Sequence, residues 1–154
     1  MPDDSQPPSK ASGGFDPSLF EGILSSHGHG GHLGLRYNAH GSNWVELVLP
    51  YSQALIGDVD SGVIASGPII SLMDNATSLS VWTAIGAFRP QVTLDLRVDY
   101  MRPATPGKTV VGRGECYKVT RSMAFVRGVA HDGDPDDPVA HVAGTFIQIE
   151  NFLG

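Results

Sequence analysis

The stretch from Gly62 to Gly86 (GVIASGPIISLMDNATSLSVWTAIG) constrains this chain most, because between Asp60 and Arg89 its one formally charged side chain is Asp74, set among Ile, Leu, Met, Val, Trp and Ala. The spacing predicts a single buried helix. Pro68 suits the first helical position, where its missing N–H goes unused, and Ser66-Gly67 ahead of it supply a cap and a flexible entry. Gly86 is a natural stop. Ile69, Leu72, Met73, Ala76, Leu79, Trp82 and Ile85 recur at spacings of three and four, while Ile70, Val81 and Ala84 spread apolar surface around the circumference, so the helix should be wrapped on most sides. A membrane span is a poor reading of about 18 helical residues that include Asp74, Asn75 and a series of serines and threonines. An unpartnered buried carboxylate costs several kcal/mol, so Asp74 is hydrogen-bonded in the core, held at a subunit interface, or facing a cavity where it works.

The 154 residues, 41% hydrophobic, suit one domain with a real core. Residues 1–14 read as a flexible N-terminal tail, since MPDDSQPPSKASGG has neither the basic start nor the apolar core of a targeting peptide, and residues 15–154 read as the single domain. The lone Cys116 allows no intrachain disulfide and no cysteine metal cluster, which makes the cytoplasm the default location. A net charge of −6 argues against a nucleic-acid binder. The charge is uneven: residues 89–127 hold Arg89, Arg97, Arg102, Lys108, Arg113, Lys118, Arg121 and Arg127 against Asp95, Asp99 and Glu115, so a small polyanion would find its positive field there.

Phe15 to Leu24 predicts a short amphipathic helical turn begun by Asp16-Pro17, packing as a lid or flap. His27, His29 and His32 follow among glycines; their closeness invites a metal-site reading, but no carboxylate or cysteine completes a set, and a flexible loop is the expectation. Residues 32–39 and 43–49 read as a hairpin, with Leu33, Leu35 and Tyr37 on one face of its first strand. Beyond the helix, Val92, Leu94, Leu96, Val98 and Tyr100 alternate with Thr93, Asp95, Arg97, Asp99 and Met101, predicting a strand with one wall for the helix and one polar face. Strands over 109–120, 123–131 and 139–149 complete an antiparallel meander joined by short links. Two strands, a long helix and four strands give an α+β fold in which one antiparallel sheet curls around one helix.

The order of elements resembles the hot-dog fold thioesterases, specifically their PaaI-like branch. The similarity runs from about residue 32 to 150 and is carried by Gly62-Val63-Ile64-Ala65-Ser66-Gly67-Pro68 at the helix entry, Leu72-Met73-Asp74-Asn75-Ala76 within it, Asp95 to Pro103 (DLRVDYMRP), and Gly107-Lys108 followed by Arg121-Ser122-Met123-Ala124-Phe125. The resemblance implies a homodimer or dimer of dimers, active sites at the dimer interface, an acyl-coenzyme A thioester as substrate, and hydrolysis without a metal or other cofactor. By position, Asp74 matches the acidic residue that acts as general base or nucleophile. The backbone N–H of Ser66 or Gly67 matches the donor that polarises the thioester carbonyl. Thr93 matches a Ser/Thr that similar enzymes take from the partner subunit to place water. Many relatives carry His-Gly-Gly where this chain has Ala65-Ser66-Gly67, which rests the carbonyl contact on backbone alone.

Free N–H groups at a helix start suit the negative charge that builds on a thioester carbonyl oxygen. A carboxylate two turns on lies roughly 10 Å up the axis, which favours a site shared between chains. In a regular strand Thr93 would lie on the polar face with Asp95 and Arg97, away from its own helix. Arg121 and Ser122, with Arg89, Lys108 and Lys118 as helpers, are candidates for the phosphates of coenzyme A. Two rivals stand beside an acyl-CoA thioesterase: a non-catalytic module that binds acyl-CoA or fatty acyl ligands, and a hydratase, which would normally pair an Asp with a nearby His that this chain lacks between Asp74 and His131.

Overall fold

A computed structural model describes residues 14–149; the expected tail, but for Gly14, and the last five residues lie outside that range. Asp16 caps a 3-10 turn over Pro17–Phe20, its carboxylate accepting from the Ser18 N–H at 2.9 Å. Two short helices follow, α1 (Glu21–Ser26) and α2 (Gly28–Leu33), then strands β1 (Arg36–His40) and β2 (Trp44–Leu49). The long helix α3 spans Ser66–Ile85, and β3 (Gln91–Tyr100), β4 (Val110–Val119), β5 (Met123–His131) and β6 (Ala140–Gln148) complete the chain.

All strand pairs are antiparallel, in the order β1-β2-β4-β5-β6-β3. The expected meander therefore holds for β4, β5 and β6 only. β3 pairs with β6, and the segment through Pro103 and Gly107 carries the chain from that edge back to β2, where β4 adds. Helix α3 lies in the hollow of the sheet against β2, β4 and β5. Leu72, Met73, Ala76 and Val81 are fully buried there with Leu47, Leu49, Val110 and Val126. Its seat is cut by glycine: a Cβ on Gly114 would sit 2.5 Å from the Thr77 backbone nitrogen, and one on Gly112 2.7 Å from Leu72 Cγ. Backbone-close packing of this kind admits no side chain. This is the hot-dog arrangement, one helix in a curled antiparallel sheet.

Two local expectations are corrected. The His-Gly stretch is helical, because α2 can end on Gly34 in the left-handed region (φ 74°), and the turn it makes carries Leu24, Leu33 and Leu35 into the core. Leu33 is therefore the last residue of a helix and shares no strand face with Leu35 and Tyr37. Helix α3 also begins two residues before Pro68, with Ala65 as its cap and no side-chain capping bond. Pro68 is tolerated there because the third helical N–H has no intrahelical partner either.

Candidate active site

Asp74 lies midway along α3 on the side turned away from the glycine trough, half-buried with Ser71, Asn75 and Ser78 rather than enclosed. Its Oδ1 accepts a hydrogen bond from the Thr93 hydroxyl of the same chain at 2.8 Å. This overturns the expectation that Thr93 faces away from its own helix. The cause is a β-bulge: Thr93 pairs with Phe146 and Asp95 with Thr145, so Leu94 is the extra residue. The bulge shifts the alternation by one, placing Thr93 on the face of buried Phe146 and leaving Leu94 59% exposed. The wall facing the helix is accordingly Thr93, Leu96, Val98 and Tyr100, without Val92 or Leu94. Beside this pair Gln91 Nε2 donates to both Ser78 Oγ and the Ser78 carbonyl at 2.9 Å, tying β3 to the next turn of α3.

The first turn of α3 forms a second polar feature. Its N–H groups have no intrahelical acceptors, and Pro68 removes one of them, so Ser66 and Gly67, both exposed, present the two remaining open donors. No acidic side chain occupies this turn to answer the helix dipole. A hollow of about 340 Å³ adjoins it, lined by Ile64, Ser66, Ile69, Tyr100, Met101 and Val139 among others. Tyr100, the last residue of β3, donates its hydroxyl to the Ser66 carbonyl at 3.0 Å. Burial pushes this phenol above its ordinary value, so the hydroxyl remains a donor at neutral pH.

Behind the hollow, Arg102 grips Asp132 through two hydrogen bonds of 3.0 and 2.6 Å, and the Thr105 N–H adds a third to the same carboxylate at 2.7 Å. Arg102 holds the Asp132 carboxyl well below the usual carboxylate range. This clamp fixes the link after β3 to the turn after β5. The alternating pattern gave no sign of it, and Tyr100 read only as part of the helix wall.

The candidate phosphate-binding residues divide. Arg121 and Ser122 occupy the exposed turn between β4 and β5 at the end of the sheet where α3 finishes, and exposed Arg89 follows α3 at that same end, its carbonyl accepting from Trp82 Nε1 at 2.6 Å. Lys108, also exposed, precedes β4 at the opposite end. One chain therefore brings Arg121, Ser122 and Arg89 to one end and leaves Lys108 apart, about ten residues of strand away, roughly 30 Å. In α2, His29 Nε2 meets Ser71 Oγ at 2.8 Å, and His27 at its N-terminal end turns to Ser26. Among the described residues no three His, Cys, Asp or Glu side chains converge as a metal site. No helix among them is long and apolar enough to cross a membrane.

A long helix in an antiparallel hot-dog sheet, with a carboxylate at its middle and open N–H groups at its start, defines a thioesterase-type scaffold. The family model of the thioesterase superfamily matches residues 61–139, which holds α3, the Asp74–Thr93 pair and strands β3, β4 and β5. The chain belongs to that superfamily. A Pseudomonas aeruginosa protein of known crystal structure is similar over 84% of this chain and 96% of its own, at 44% identity and a TM-score of 0.75. The phenylacetic acid degradation protein PaaI of Thermus thermophilus, solved as a point mutant, is 25% identical with a TM-score of 0.67, covering 77% of this chain and 96% of that one. A curated Haemophilus influenzae relative, provisionally named an esterase, is 27% identical over 85 residues, 55% of this chain; the match spans 60% of the relative's length.

Proposed function

We propose that this protein hydrolyses an acyl-coenzyme A thioester to the free acid and coenzyme A. Membership of the thioesterase superfamily supports thioester hydrolysis in general. The observation that carries the reading further is the Asp74 carboxylate, half-exposed on the open side of α3, with one oxygen held by the Thr93 hydroxyl. That leaves Oδ2 free to take a proton from water. The water oxygen bonds to the acyl carbon, the C–S bond breaks, and the thiolate of coenzyme A takes the proton that Asp74 received. Negative charge on the carbonyl oxygen during this step calls for aimed donors, a contribution often worth about 3 kcal/mol each, and the N–H groups of Ser66 and Gly67 have that character.

In a single chain those donors lie roughly 10–12 Å along the helix axis from Asp74. The productive site is therefore shared: Asp74 and Thr93 come from one chain and the helix start from its partner, which makes the working unit a dimer or a dimer of dimers. Arg121, Ser122 and Arg89 would meet the phosphates of coenzyme A at the far end of α3.

The test is release of free thiol by the purified protein from a panel of short, medium, long and aromatic acyl-CoA thioesters. Turnover of at least one class is expected. Binding of acyl-CoA without turnover of any class would replace the enzyme reading with a ligand-binding module.

A further inference from the structure

The first turn of α3 has no side-chain cap and carries glycine at its second position, and its N-cap is held through the backbone, the Ala65 N–H donating to the Leu55 carbonyl at 2.9 Å. Among the described residues one side-chain hydrogen bond reaches that turn, the 3.0 Å bond from the Tyr100 hydroxyl to the Ser66 carbonyl. That carbonyl and the Gly67 N–H belong to one peptide group. The group is planar, with C=O and N–H pointing in opposite directions, so holding the oxygen aims the N–H. The Ser66 carbonyl also accepts the intrahelical bond from four residues on. A second donor draws further electron density from the amide and makes its N–H a better donor, in line with the strengthening of roughly 10–30% per bond in hydrogen-bonded chains.

We infer that Tyr100 is a positioning residue for the reaction, aiming and polarising the Gly67 N–H at the thioester carbonyl oxygen. The inference rests on the proposed hydrolysis and narrows the carbonyl-polarising donor to Gly67. Tyr100 is well anchored for such a role, since it ends β3 at Ala140 of β6, is followed by the Arg102–Asp132 clamp, and has its ring in the wall of the hollow beside Ser66.

Tyr100→Phe keeps the ring and the wall and removes only the hydroxyl. Assayed beside wild type and Asp74→Asn on one acyl-CoA thioester, it should lose about tenfold in kcat, less than the loss from deleting a donor outright, with KM within about twofold. Its melting temperature should stay within about 2 °C of wild type, since one partly exposed hydrogen bond is removed. A spectroscopic readout separates aiming from packing. With a carbonyl-labelled acyl-CoA bound to the inactive Asp74→Asn protein, the infrared carbonyl stretch should move less far from its free value when Tyr100→Phe is added. Wild-type kcat in Tyr100→Phe while Asp74→Asn is inactive would overturn the role of Tyr100 and leave the hydrolytic reading standing. Wild-type kcat in both variants would overturn the roles of Tyr100 and Asp74 alike, whereas no turnover by the wild-type protein would overturn the hydrolytic reading itself. A matching rise in KM, or an unchanged carbonyl stretch, would make Tyr100 a substrate contact or a packing residue and end the inference.

Discussion

Thr93 reaches Asp74 because Leu94 is pushed out of the ladder, so two adjacent residues of β3 carry most of the local design of the site. Thr93→Val keeps the shape of the side chain and removes the donor. It should lower kcat by about tenfold with KM nearly unchanged, because the hydroxyl orients the carboxylate and holds no distant part of the substrate; steady-state kinetics on a responsive acyl-CoA checks this, and wild-type kcat would reduce the contact to decoration. Asp74 itself was legible in the sequence, since a lone carboxylate in an apolar helix demands a partner or a chemical role. The direction of Thr93 was not. Nothing in VTLDLRVDY marks a bulge, for it contains no glycine or proline, and an unbroken alternation assigns Thr93 to the wrong face. Tyr100 was hidden for a related reason: its ring satisfies the apolar pattern, and the pattern says nothing about where a hydroxyl ends.

The elements follow their sequence signals closely where burial decides them. β5 runs from Met123 to His131 over the span expected for it, and α3 ends at Gly86, whose φ of 75° only glycine adopts easily. They depart where a tertiary contact overrides a local preference: α2 forms from a glycine-rich run because Leu33 and Leu35 are drawn into the core, and β3 leaves its neighbours in the chain to pair with β6. The clamp between Arg102 and Asp132 joins elements thirty residues apart and has no local signature at all. It carries a pH dependence with a definite sign. The folded-state pKa of Asp132 is depressed relative to an ordinary value near 4, so its contribution is present in full above that value and is lost as pH falls from about 5 toward the folded pKa. Thermal melts between pH 7 and 3 should show the melting temperature falling on the acid side. Asp132→Asn should start lower, by about 5 °C or more, and fall less steeply. Parallel acid limbs in the two proteins would remove Asp132 as a cause.

At the scale of the molecule, β1 and β3 are the open edges of the sheet, and β3 is the longer, with Val92 41% and Leu94 59% exposed along it. A long edge with exposed apolar side chains invites pairing with a second copy, and the separation between Asp74 and the start of its own helix makes such pairing necessary for the proposed chemistry. Sedimentation at micromolar concentration should show a dimer or larger, and a monomer with full activity would contradict the shared site. The sheet-and-helix class was readable from the order and period of the segments, whereas which strands form the open edges depends on strand order, which the sequence pattern does not encode. The proposed chemistry turns on Asp74. The most direct measurement is kcat for thioester hydrolysis by Asp74→Asn, taken with its melting temperature and assembly state on the same preparation. A loss of about two or more orders of magnitude in kcat, the range typical of a removed general base, with folding and assembly intact, is the predicted result. A destabilised or misassembled Asp74→Asn whose folded fraction turns over near the wild-type rate would contradict it, and would make Asp74 a structural carboxylate.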